Sequence, residues 1–270
     1  MKLSNKYIIY ILILIIILLL TLFASFNTKQ IEVQKHLEKV YERLNAIKKQ
    51  YPTIINTNHN VIMNDNVVYV ENIFDEDYYN MMSKQFNNLD KYNPTDIMML
   101  RKSSGINFFD LHNTDEFIGC LETYYNNELL EFLSNILKKP IQRTSLSDTN
   151  SCSLLIYSKK GDHINWHIDN SIYHGERYVV LYTVKNENET TNSLSQNTFH
   201  YIINDEEFKI QMKPNSILLF KGSEIYHKST PIDQDEKRVL LSMTFCDICQ
   251  EKKSITNYIH ETIKNTITYG

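Results

Sequence analysis

The first hydrophobic pattern in the chain is a long apolar run near the amino terminus. Residues 7–26, YIIYILILIIILLLTLFASF, contain no charged side chain and would extend roughly 30 Å as a helix, enough to cross a bilayer. The apolar core of a secretory signal peptide is shorter, about 7–15 residues, and precedes a small-x-small cleavage site. Because Ala24-Ser25-Phe26 does not fit such a site, the pattern favours an uncleaved membrane anchor.

A second apolar pattern follows at helical spacing within residues 31–51. Its apolar positions lie alternately four and three residues apart: Val33, Leu37, Val40, Leu44 and Ile47. This spacing predicts an amphipathic helix. We interpret it as a stalk that lifts a domain from the membrane, rather than as a dimerising coiled coil, because it has too few heptads. Pro52 and the Asn-rich NTNHN then indicate a linker.

The next segments alternate between strand and helix patterns. VVYVEN, residues 67–72, predicts a short strand. Asp75 is a typical cap for a helix that reaches about Phe86, and a second helix is predicted from about Glu116 to Leu137, ended by Pro140.

Beyond residue 150 the apolar segments become short and are separated by Gly, Pro, Asn or Asp. The predicted strands are SLLIY (153–157), YVVLYTV (178–184), TFHYII (198–203), FKIQM (208–212), SILLF (216–220) and RVLLSMTF (238–245). So many short strands without helices between them predict an antiparallel jelly roll of the cupin type, a double-stranded β-helix. With flanking helices outside the sheet, the fold class is α+β, preceded by one N-terminal transmembrane helix.

Composition narrows the choice of partners and compartments. The 270 residues carry a formal net charge of −4, which disfavours a nucleic-acid partner. Of the four cysteines, Cys246 and Cys249 have the spacing of half a zinc site, but no second pair exists. An incidental thiol pair, or a disulfide in a lumenal domain, is the better interpretation, and the sequence leaves that choice open.

The side of the membrane is the least determined property of the chain. Basic residues flank the apolar run on both sides, at Lys2, Lys6, Lys29, Lys35, Lys39 and Arg43. The positive-inside rule tends toward a cytosolic domain, but an N-terminal signal anchor commonly translocates a long C-terminal domain. The sequon Asn188-Glu189-Thr190 is compatible with a lumen. We therefore favour a lumenal domain.

Candidate chemistry begins at NWHIDNS, residues 165–171. His167 and Asp169 are two residues apart, so on a strand they face the same side. His227, 58 residues after Asp169, offers a third ligand. Two histidines and one carboxylate leave coordination positions open, as in non-haem Fe(II) oxygenases. A His-x-Asp pair alone arises by chance in many chains, and the order of the residues that follow it gives it weight.

Arg238 is the fourth residue of this series. It follows His227 by eleven residues at the start of the last strand and can form a bidentate pair with the carboxylate of a bound ligand. Ser242 falls on the same strand face and can add a hydroxyl to that group. For Arg238 taken alone, a surface salt bridge explains the residue equally well.

His167-x-Asp169, His227 and Arg238, in this order on a strand-rich half, resemble the Fe(II)/2-oxoglutarate-dependent dioxygenases, in particular their prolyl 4-hydroxylase-like branch. LLIYSKKGDHINWHIDN and KPNSILLFKGSEIYHKSTPI resemble strands of that branch, and the resemblance covers roughly residues 60–248. It implies iron on the two histidines and Asp169, and the distal carboxylate of 2-oxoglutarate on Arg238.

The same resemblance implies that Tyr157 hydrogen-bonds the cosubstrate, although a core tyrosine is an alternative interpretation. The chain departs from the family pattern in two places: the loop between His227 and Arg238 is slightly longer, and the usual Gly-Gly is missing at SLSQNTF. The second departure leaves the loops on the substrate side unassigned.

The activity implied by the resemblance uses Fe(II), 2-oxoglutarate and O2, with ascorbate as a reductant. It releases succinate and CO2 and hydroxylates a C–H bond, on this resemblance a prolyl or lysyl side chain of a protein or peptide. A non-catalytic, membrane-tethered cupin-like metal-binding module and a metal-dependent isomerase are the alternatives. The oligomeric state is left open.

Together these patterns divide the chain into four parts. Residues 1–26 form the tip and transmembrane anchor, with the membrane contact at 7–26, and residues 27–58 form the helical stalk and linker. Residues 59–250 form the dioxygenase domain, and residues 251–270 form a C-terminal tail. The predicted protein is a single-pass membrane protein with an N-terminal signal anchor.

Overall fold

The structure, a computed structural model, describes residues 5–86 and 100–252. Its helices are α1 (Asn5–Gln50), α2 (Glu76–Ser83), α3 (Phe108–His112), α4 (Ile118–Tyr125) and α5 (Asn127–Leu137). The strands are β1 (Asn60–Asn64), β2 (Val67–Glu71), β3 (Arg101–Lys102), β4 (Ser104–Ile106), β5 (Gln142–Arg143), β6 (Cys152–Tyr157), β7 (His163–His167), β8 (Arg177–Asn188), β9 (Ser193–Leu194), β10 (Phe199–Ile203), β11 (Glu206–Ile210), β12 (Ser216–Lys221), β13 (Tyr226–Ser229) and β14 (Glu236–Cys246). All of the predicted C-terminal tail except residues 251 and 252 lies outside the described residues.

The strands form two antiparallel sheets. The larger sheet has the order β1-β2-β12-β8-β14-β6-β4, with β5 and β9 paired to β14 and β8, and the smaller sheet has the order β11-β10-β13-β7-β3. Strands that follow one another along the chain, such as β12, β13 and β14, alternate between the two sheets. This arrangement is a jelly roll with flanking helices, so the predicted α+β fold class is confirmed.

The central strands of the larger sheet are buried on both faces. In β14, Val239, Leu241 and Met243 belong to the core between this sheet and the helices. Leu240, which points the other way, belongs to the second core between the two sheets. A strand buried on both faces reads as a continuous apolar run rather than an alternating one, which explains the pattern of RVLLSMTF.

Two strands that carry candidate ligands have no such apolar run. β7 has the sequence HINWH and β13 the sequence YHKS, and neither was among the strands predicted from hydrophobicity. Both lie in the smaller sheet, whose outer face carries the exposed Tyr226, with the half-buried Trp166 stacked against it. Their polar character reflects one solvated face and one face that lines an internal cavity.

The predicted helix from Glu116 to Leu137 is in fact two helices. Asn126 interrupts it in an extended conformation, and its side chain accepts hydrogen bonds from the backbone N–H groups of Glu128 and Leu129. Asparagine is a favoured N-cap because its side chain satisfies these free donors. The prediction for the earlier helix is closer: Asp75 caps α2, and a single 3₁₀ turn extends it to Phe86.

Helix α1 differs from the stalk interpretation over its second half. The predicted apolar face is present, but Val33, Leu37 and Val40 are buried in the helix-side core. Phe26 packs edge-on against Phe109 with ring centroids 5.9 Å apart. The helix therefore lies against the domain from about residue 26 onward instead of standing free, because burying this apolar stripe is favourable.

The first half of α1 is exposed and strongly apolar. Its most apolar window has a mean hydropathy of 3.1 and none of it is buried. By length and composition this helix can cross a membrane, and among the described residues it is the helix that meets this criterion. Because α1 is continuous from Asn5 to Gln50, no flexible linker separates the apolar run from the packed segment.

A half-buried ion pair connects α1 to the domain. Arg43 Nε lies 2.6 Å from Glu122 Oε1, and the Glu122 side chain is fully buried while that of Arg43 is 40% exposed. Burial raises the pKa of Glu122 above its ordinary value, and the nearby Arg43 opposes this shift. The guanidinium is thus the group that keeps a buried carboxyl compatible with ionisation.

We expect Arg43→Ala in the full-length, detergent-solubilised chain to lower the free energy of unfolding at pH 7 by about 2 kcal/mol, since it leaves a buried carboxylate unpaired. A carboxyl whose folded-state pKa is raised destabilises the folded state once pH exceeds its unfolded pKa, so the loss should shrink as pH falls toward 4. Denaturant unfolding followed by circular dichroism measures both effects.

Lys39→Ala is the matched control, because it breaks an exposed ion pair of the same helix, Lys39 with Asp115. Its effect on the free energy of unfolding should be much smaller than that of Arg43→Ala, because solvent screens an exposed ion pair. Equal effects of the two substitutions at every pH would contradict the anchoring role of Arg43. The double variant Arg43→Met/Glu122→Gln, which removes both charges, should recover most of the loss.

Candidate metal centre and cosubstrate cavity

Two histidines face each other across the smaller sheet. His167 ends β7 and is the cross-strand partner of His227 on β13, with ring centroids 4.1 Å apart. The next paired residues are Ile164 and Ser229, so β7 contains one more residue than β13 over this interval. Such a bulge turns a side chain relative to regular strand geometry, and it directs both Ile164 and His167 into the cavity.

Asp169 is held by the segment that follows β12. Its backbone N–H donates to the Gly222 carbonyl at 2.9 Å. A Cβ atom at residue 222 would lie 2.9 Å from Asp169 Cβ and 2.9 Å from Val179 Cγ2. Only a residue without a side chain allows this close approach. Gly222 therefore determines where the Asp169 carboxylate lies.

The ligand atoms of His167, Asp169 and His227 converge. All three lie within 4.8 Å of one another. His167 Nε2 is 3.7 Å from Asp169 Oδ1, and His227 Nε2 is 3.8 Å from Asp169 Oδ2, both beyond hydrogen-bond distance. The three predicted ligands are thus brought together without being hydrogen-bonded to each other.

Backbone carbonyls orient both imidazoles. His167 Nδ1 donates to the Asn165 carbonyl at 2.8 Å, and His227 Nδ1 donates to the Ile225 carbonyl at 2.9 Å. A carbonyl oxygen only accepts, so in each neutral ring the proton is on Nδ1 and the Nε2 lone pair faces Asp169. Histidine ligands of metals are typically oriented by such a second hydrogen bond.

The electrostatics of His227 suit a metal ligand. Burial lowers its pKa to about 4, against the opposing effect of the Asp169 charge. At neutral pH the ring is therefore neutral and its contact with Asp169 is not an ion pair. Two imidazoles that present Nε2 and one carboxylate, converging on a common point, fit Fe(II), the ion for which this donor set with open positions is characteristic.

Arg238 lies in the same cavity and is almost completely buried, at 1% exposure. Its Nη1 donates to Ser229 Oγ and its Nη2 contacts Met212 Sδ, while Nε has no hydrogen-bond partner. Burial lowers its pKa to about 10, so the group remains cationic at neutral pH. No carboxylate among the described residues pairs with it. A buried cation of this kind calls for an anionic ligand.

Tyr157 lies directly across from Arg238, as its partner on β6. The guanidinium carbon is 5.6 Å from the centre of the tyrosine ring. Burial raises the pKa of Tyr157, and Arg238 and Arg101 act in the opposite direction. The phenol is therefore protonated at neutral pH and can donate a hydrogen bond to an anion beside Arg238.

Ser242 lines the same cavity but not beside Arg238. It lies four residues further along β14, roughly 13 Å at the rise of an extended strand, and pairs with Ser153. The hydroxyl that contacts the guanidinium is that of Ser229. Ser229 follows His227 by two residues on one strand, so strand periodicity contained the signal for it. The shared face of Arg238, Leu240, Ser242 and Thr244 is as predicted.

These residues surround one cavity of about 1050 Å³ between the two sheets. Its apolar lining comes from both sheets and includes Leu155, Val179, Leu181, Phe199, Phe220 and Leu240. The volume is at the upper end of the range for small-molecule sites, so a small cosubstrate would leave room for part of a second molecule. Sequence patterns gave no indication of Arg101, which also lines this cavity.

A disulfide lies in the C-terminal segment that borders the cavity through Asp247 and Lys252. Cys246 and Cys249 form a disulfide, whereas Cys120 and Cys152 are free and buried. Residues 248–252 pair with residues 172–175 through backbone hydrogen bonds of Ile172, His174 and Gly175. The sequence had left the state of Cys246 and Cys249 open.

Comparison of the sequence alone with known proteins does not assign the chain to a family. No protein-family model matches the chain, and no curated protein matches it either. Recognition therefore depends on the three-dimensional structure.

Solved structures do match the fold. AviO1 from Streptomyces viridochromogenes Tue57 matches with a TM-score of 0.52 and 10% identity, over 70% of this chain and 93% of that one. The non-haem α-ketoglutarate-dependent epimerase SnoN from nogalamycin biosynthesis matches with a TM-score of 0.51 and 10% identity, over 68% and 79%. A Pseudomonas putida prolyl-4-hydroxylase gives a TM-score of 0.49 at 11% identity, over 78% and 100%. The fold is shared with AviO1 and with this non-haem α-ketoglutarate-dependent epimerase, so the fold that the sequence resemblance implied is confirmed.

We expect Gly222→Ala to weaken divalent-metal binding by about 10- to 100-fold, because the new methyl group displaces the Asp169 backbone from the two histidines. Titration of the metal-free protein with Mn(II), followed by calorimetry, measures the affinity. Gly105→Ala is the matched control, since its Cβ would lie 2.7 Å from the Leu154 carbonyl oxygen in the same sheet, away from the ligands. Equal loss of metal affinity in both variants would show that the added methyl group acts only by destabilising the fold.

Proposed function

We propose that the chain is an Fe(II)- and 2-oxoglutarate-dependent dioxygenase that hydroxylates a C–H bond and releases succinate and CO2. One observation carries this proposal: the convergent His167, Asp169 and His227 share a cavity with Arg238, a buried cation that has no carboxylate partner among the described residues. A metal site alone would not require Arg238, and an anion site alone would not require the three ligands.

Bound iron would supply the site for O2 and for the keto-acid end of 2-oxoglutarate. His167 and His227 would present Nε2 to the ion, because Asn165 and Ile225 hold their Nδ1 protons. Asp169 would contribute the single negative ligand charge, at the position determined by its hydrogen bond to Gly222. Ascorbate would act as an external reductant.

The chain's own residues would then position the cosubstrate. Arg238 would form a charge-assisted pair with its distal carboxylate, and the Tyr157 hydroxyl would donate a further hydrogen bond to it. Ser229 already accepts from Arg238 and so fixes the direction of the guanidinium. The apolar walls of the cavity exclude water, which strengthens each of these interactions.

For the substrate, we favour a prolyl or lysyl side chain of a protein or peptide. The motif resemblance is the reason, and the volume of the cavity is compatible with an inserted side chain in addition to the cosubstrate. A nucleic-acid substrate is disfavoured by the net charge of −4.

We further propose that α1 anchors the protein in a membrane through residues 7–26, with the domain on the lumenal side. The exposed apolar half of α1 supports the anchor. The Cys246–Cys249 disulfide supports the lumenal side, because disulfides persist in oxidising compartments. The division into residues 1–26, 27–58, 59–250 and 251–270 belongs to the same proposal.

The test is an anaerobic titration of the purified full-length protein with Fe(II) and 2-oxoglutarate, monitored by visible absorption. We expect the weak charge-transfer band of a keto acid chelated to Fe(II) in the wild type, no band in Asp169→Ala, and a band in Arg238→Ala that requires about 10- to 100-fold more 2-oxoglutarate. Succinate release in air should follow the same order.

His163→Ala is the control, since His163 lies on the same strand as His167 but hydrogen-bonds the Gly161 carbonyl instead of joining the cluster. It should leave the band unchanged. Absence of a band in the wild type, or an unchanged titration in Asp169→Ala and Arg238→Ala, would refute the proposed activity. A non-catalytic metal-binding module would bind Mn(II) yet show no affinity for 2-oxoglutarate.

A further inference from the structure

We infer that Arg101 is a second cationic contact for the distal carboxylate of the cosubstrate, opposite Arg238 and contributed by the other sheet. This inference rests on the proposed function and deepens it. Arg101 lies on β3, at the edge of the smaller sheet, and its side chain lines the cavity.

Strand register places Arg101 at the cosubstrate end of the cavity. Arg101 pairs with Ile164 on β7, and Ile164 pairs with Ser229 on β13. Cross-strand partners project to the same face, and Ile164 and Ser229 both line the cavity. Arg101 therefore points inward, in the same row of side chains as Ser229.

That row is the one that meets Arg238. Ser229 Oγ accepts a hydrogen bond from Arg238 Nη1, so Arg238 reaches from the larger sheet to the row of side chains that includes Arg101 on the smaller sheet. The row is two residues along β13 from His227, roughly 7 Å at the rise of a strand. A five-carbon dicarboxylic acid chelated near the histidines would place its far end here.

Electrostatics support a shared anion. The Nε of Arg101 is buried and has no hydrogen-bond partner, as is also true of the Nε of Arg238. Both cations act on the Tyr157 hydroxyl, lowering its pKa against the effect of burial. Among the described residues no carboxylate forms an ion pair with either arginine. Asp162 also acts on this phenol, but its carboxylate accepts hydrogen bonds from the backbone N–H groups of Ser158 and Lys159. One bound carboxylate would supply the ion pair that both guanidinium groups lack among the described residues.

The neighbouring cation behaves differently. Lys102 is exposed, projects to the opposite side of β3, and its Nζ contacts the Lys160 carbonyl. The two basic side chains of β3 therefore project to opposite sides of the strand. Lys102 provides a control of equal charge, one residue away from Arg101 and outside the cavity.

The consequence is selectivity for dicarboxylic over monocarboxylic 2-oxo acids. 2-Oxobutyrate carries the same keto-acid group as 2-oxoglutarate but lacks the distal carboxylate. If two arginines hold that carboxylate, removing either one should weaken the binding of 2-oxoglutarate but not the binding of 2-oxobutyrate. If Arg101 instead contacted the substrate to be hydroxylated, its removal would leave the affinity for both oxo acids unchanged.

The experiment measures binding, without turnover, to the full-length protein loaded with Mn(II). Calorimetric dissociation constants are obtained for 2-oxoglutarate and for 2-oxobutyrate with the wild type, Arg101→Gln, Arg238→Gln and Lys102→Gln. We expect Arg101→Gln to weaken 2-oxoglutarate binding by about 10-fold or more, because one charge-assisted contact is lost. The affinity for 2-oxobutyrate should stay unchanged. Lys102→Gln should change neither.

Two results would overturn the inference. Unchanged 2-oxoglutarate affinity in Arg101→Gln, with a clear loss in Arg238→Gln, would assign the distal carboxylate to Arg238 alone. Equal losses for both oxo acids in Arg101→Gln would mean that Arg101 acts only on the cavity structure. Arg101→Lys, which keeps the charge but not the fork, should recover part of the affinity if the contact is electrostatic. Failure of the wild type to bind 2-oxoglutarate would instead refute the proposed function itself.

Discussion

The pairing of β7 with β13 is the constraint on which the functional arrangement depends. It places His167 opposite His227, and the extra residue in β7 aims both His167 and Ile164 into the space between the sheets. The same pairing continues through Ser229 to the contact with Arg238. Two short, polar strands therefore connect the three ligands to the anion-binding end of the cavity, although they contribute little to either hydrophobic core.

The larger sheet supplies most of the apolar packing around these strands. β8, β12 and β14 are buried on both faces, one against the helices and the other against the smaller sheet. Arg238 lies near the start of β14, almost completely buried, in contact with Ser229 and Met212. A cation in such a place lowers stability unless an anion accompanies it. That cost is consistent with selection for binding rather than for stability.

Helix α1 joins the apolar N-terminal run to the domain without a break. Its packed half is held by the apolar stripe of Val33, Leu37 and Val40 and by Arg43 with the buried Glu122. If residues 7–26 lie in a membrane, the domain is held close to the surface by this packing rather than by a free stalk, because Phe26 at the end of the apolar run already contacts Phe109.

The sequence by itself determined the features that depend on local order. Hydrophobic runs predicted the strands of the larger sheet, the cap at Asp75 predicted α2, and the order of His167, Asp169, His227 and Arg238 predicted which residues would share a cavity. Each of these signals is a spacing along one element, or the order of elements on a known fold, so no contact had to be known in advance.

The tertiary structure decided what depends on residues distant in the chain. Ser229 as the hydroxyl beside Arg238, Gly222 as the support of Asp169, and Arg101 in the cavity all follow from strand register and from the way the two sheets face each other. The same is true of the burial of α1, since an amphipathic stripe predicts that a face is covered but not by what. Periodicity records which way a side chain points; only the assembled sheets determine what it meets.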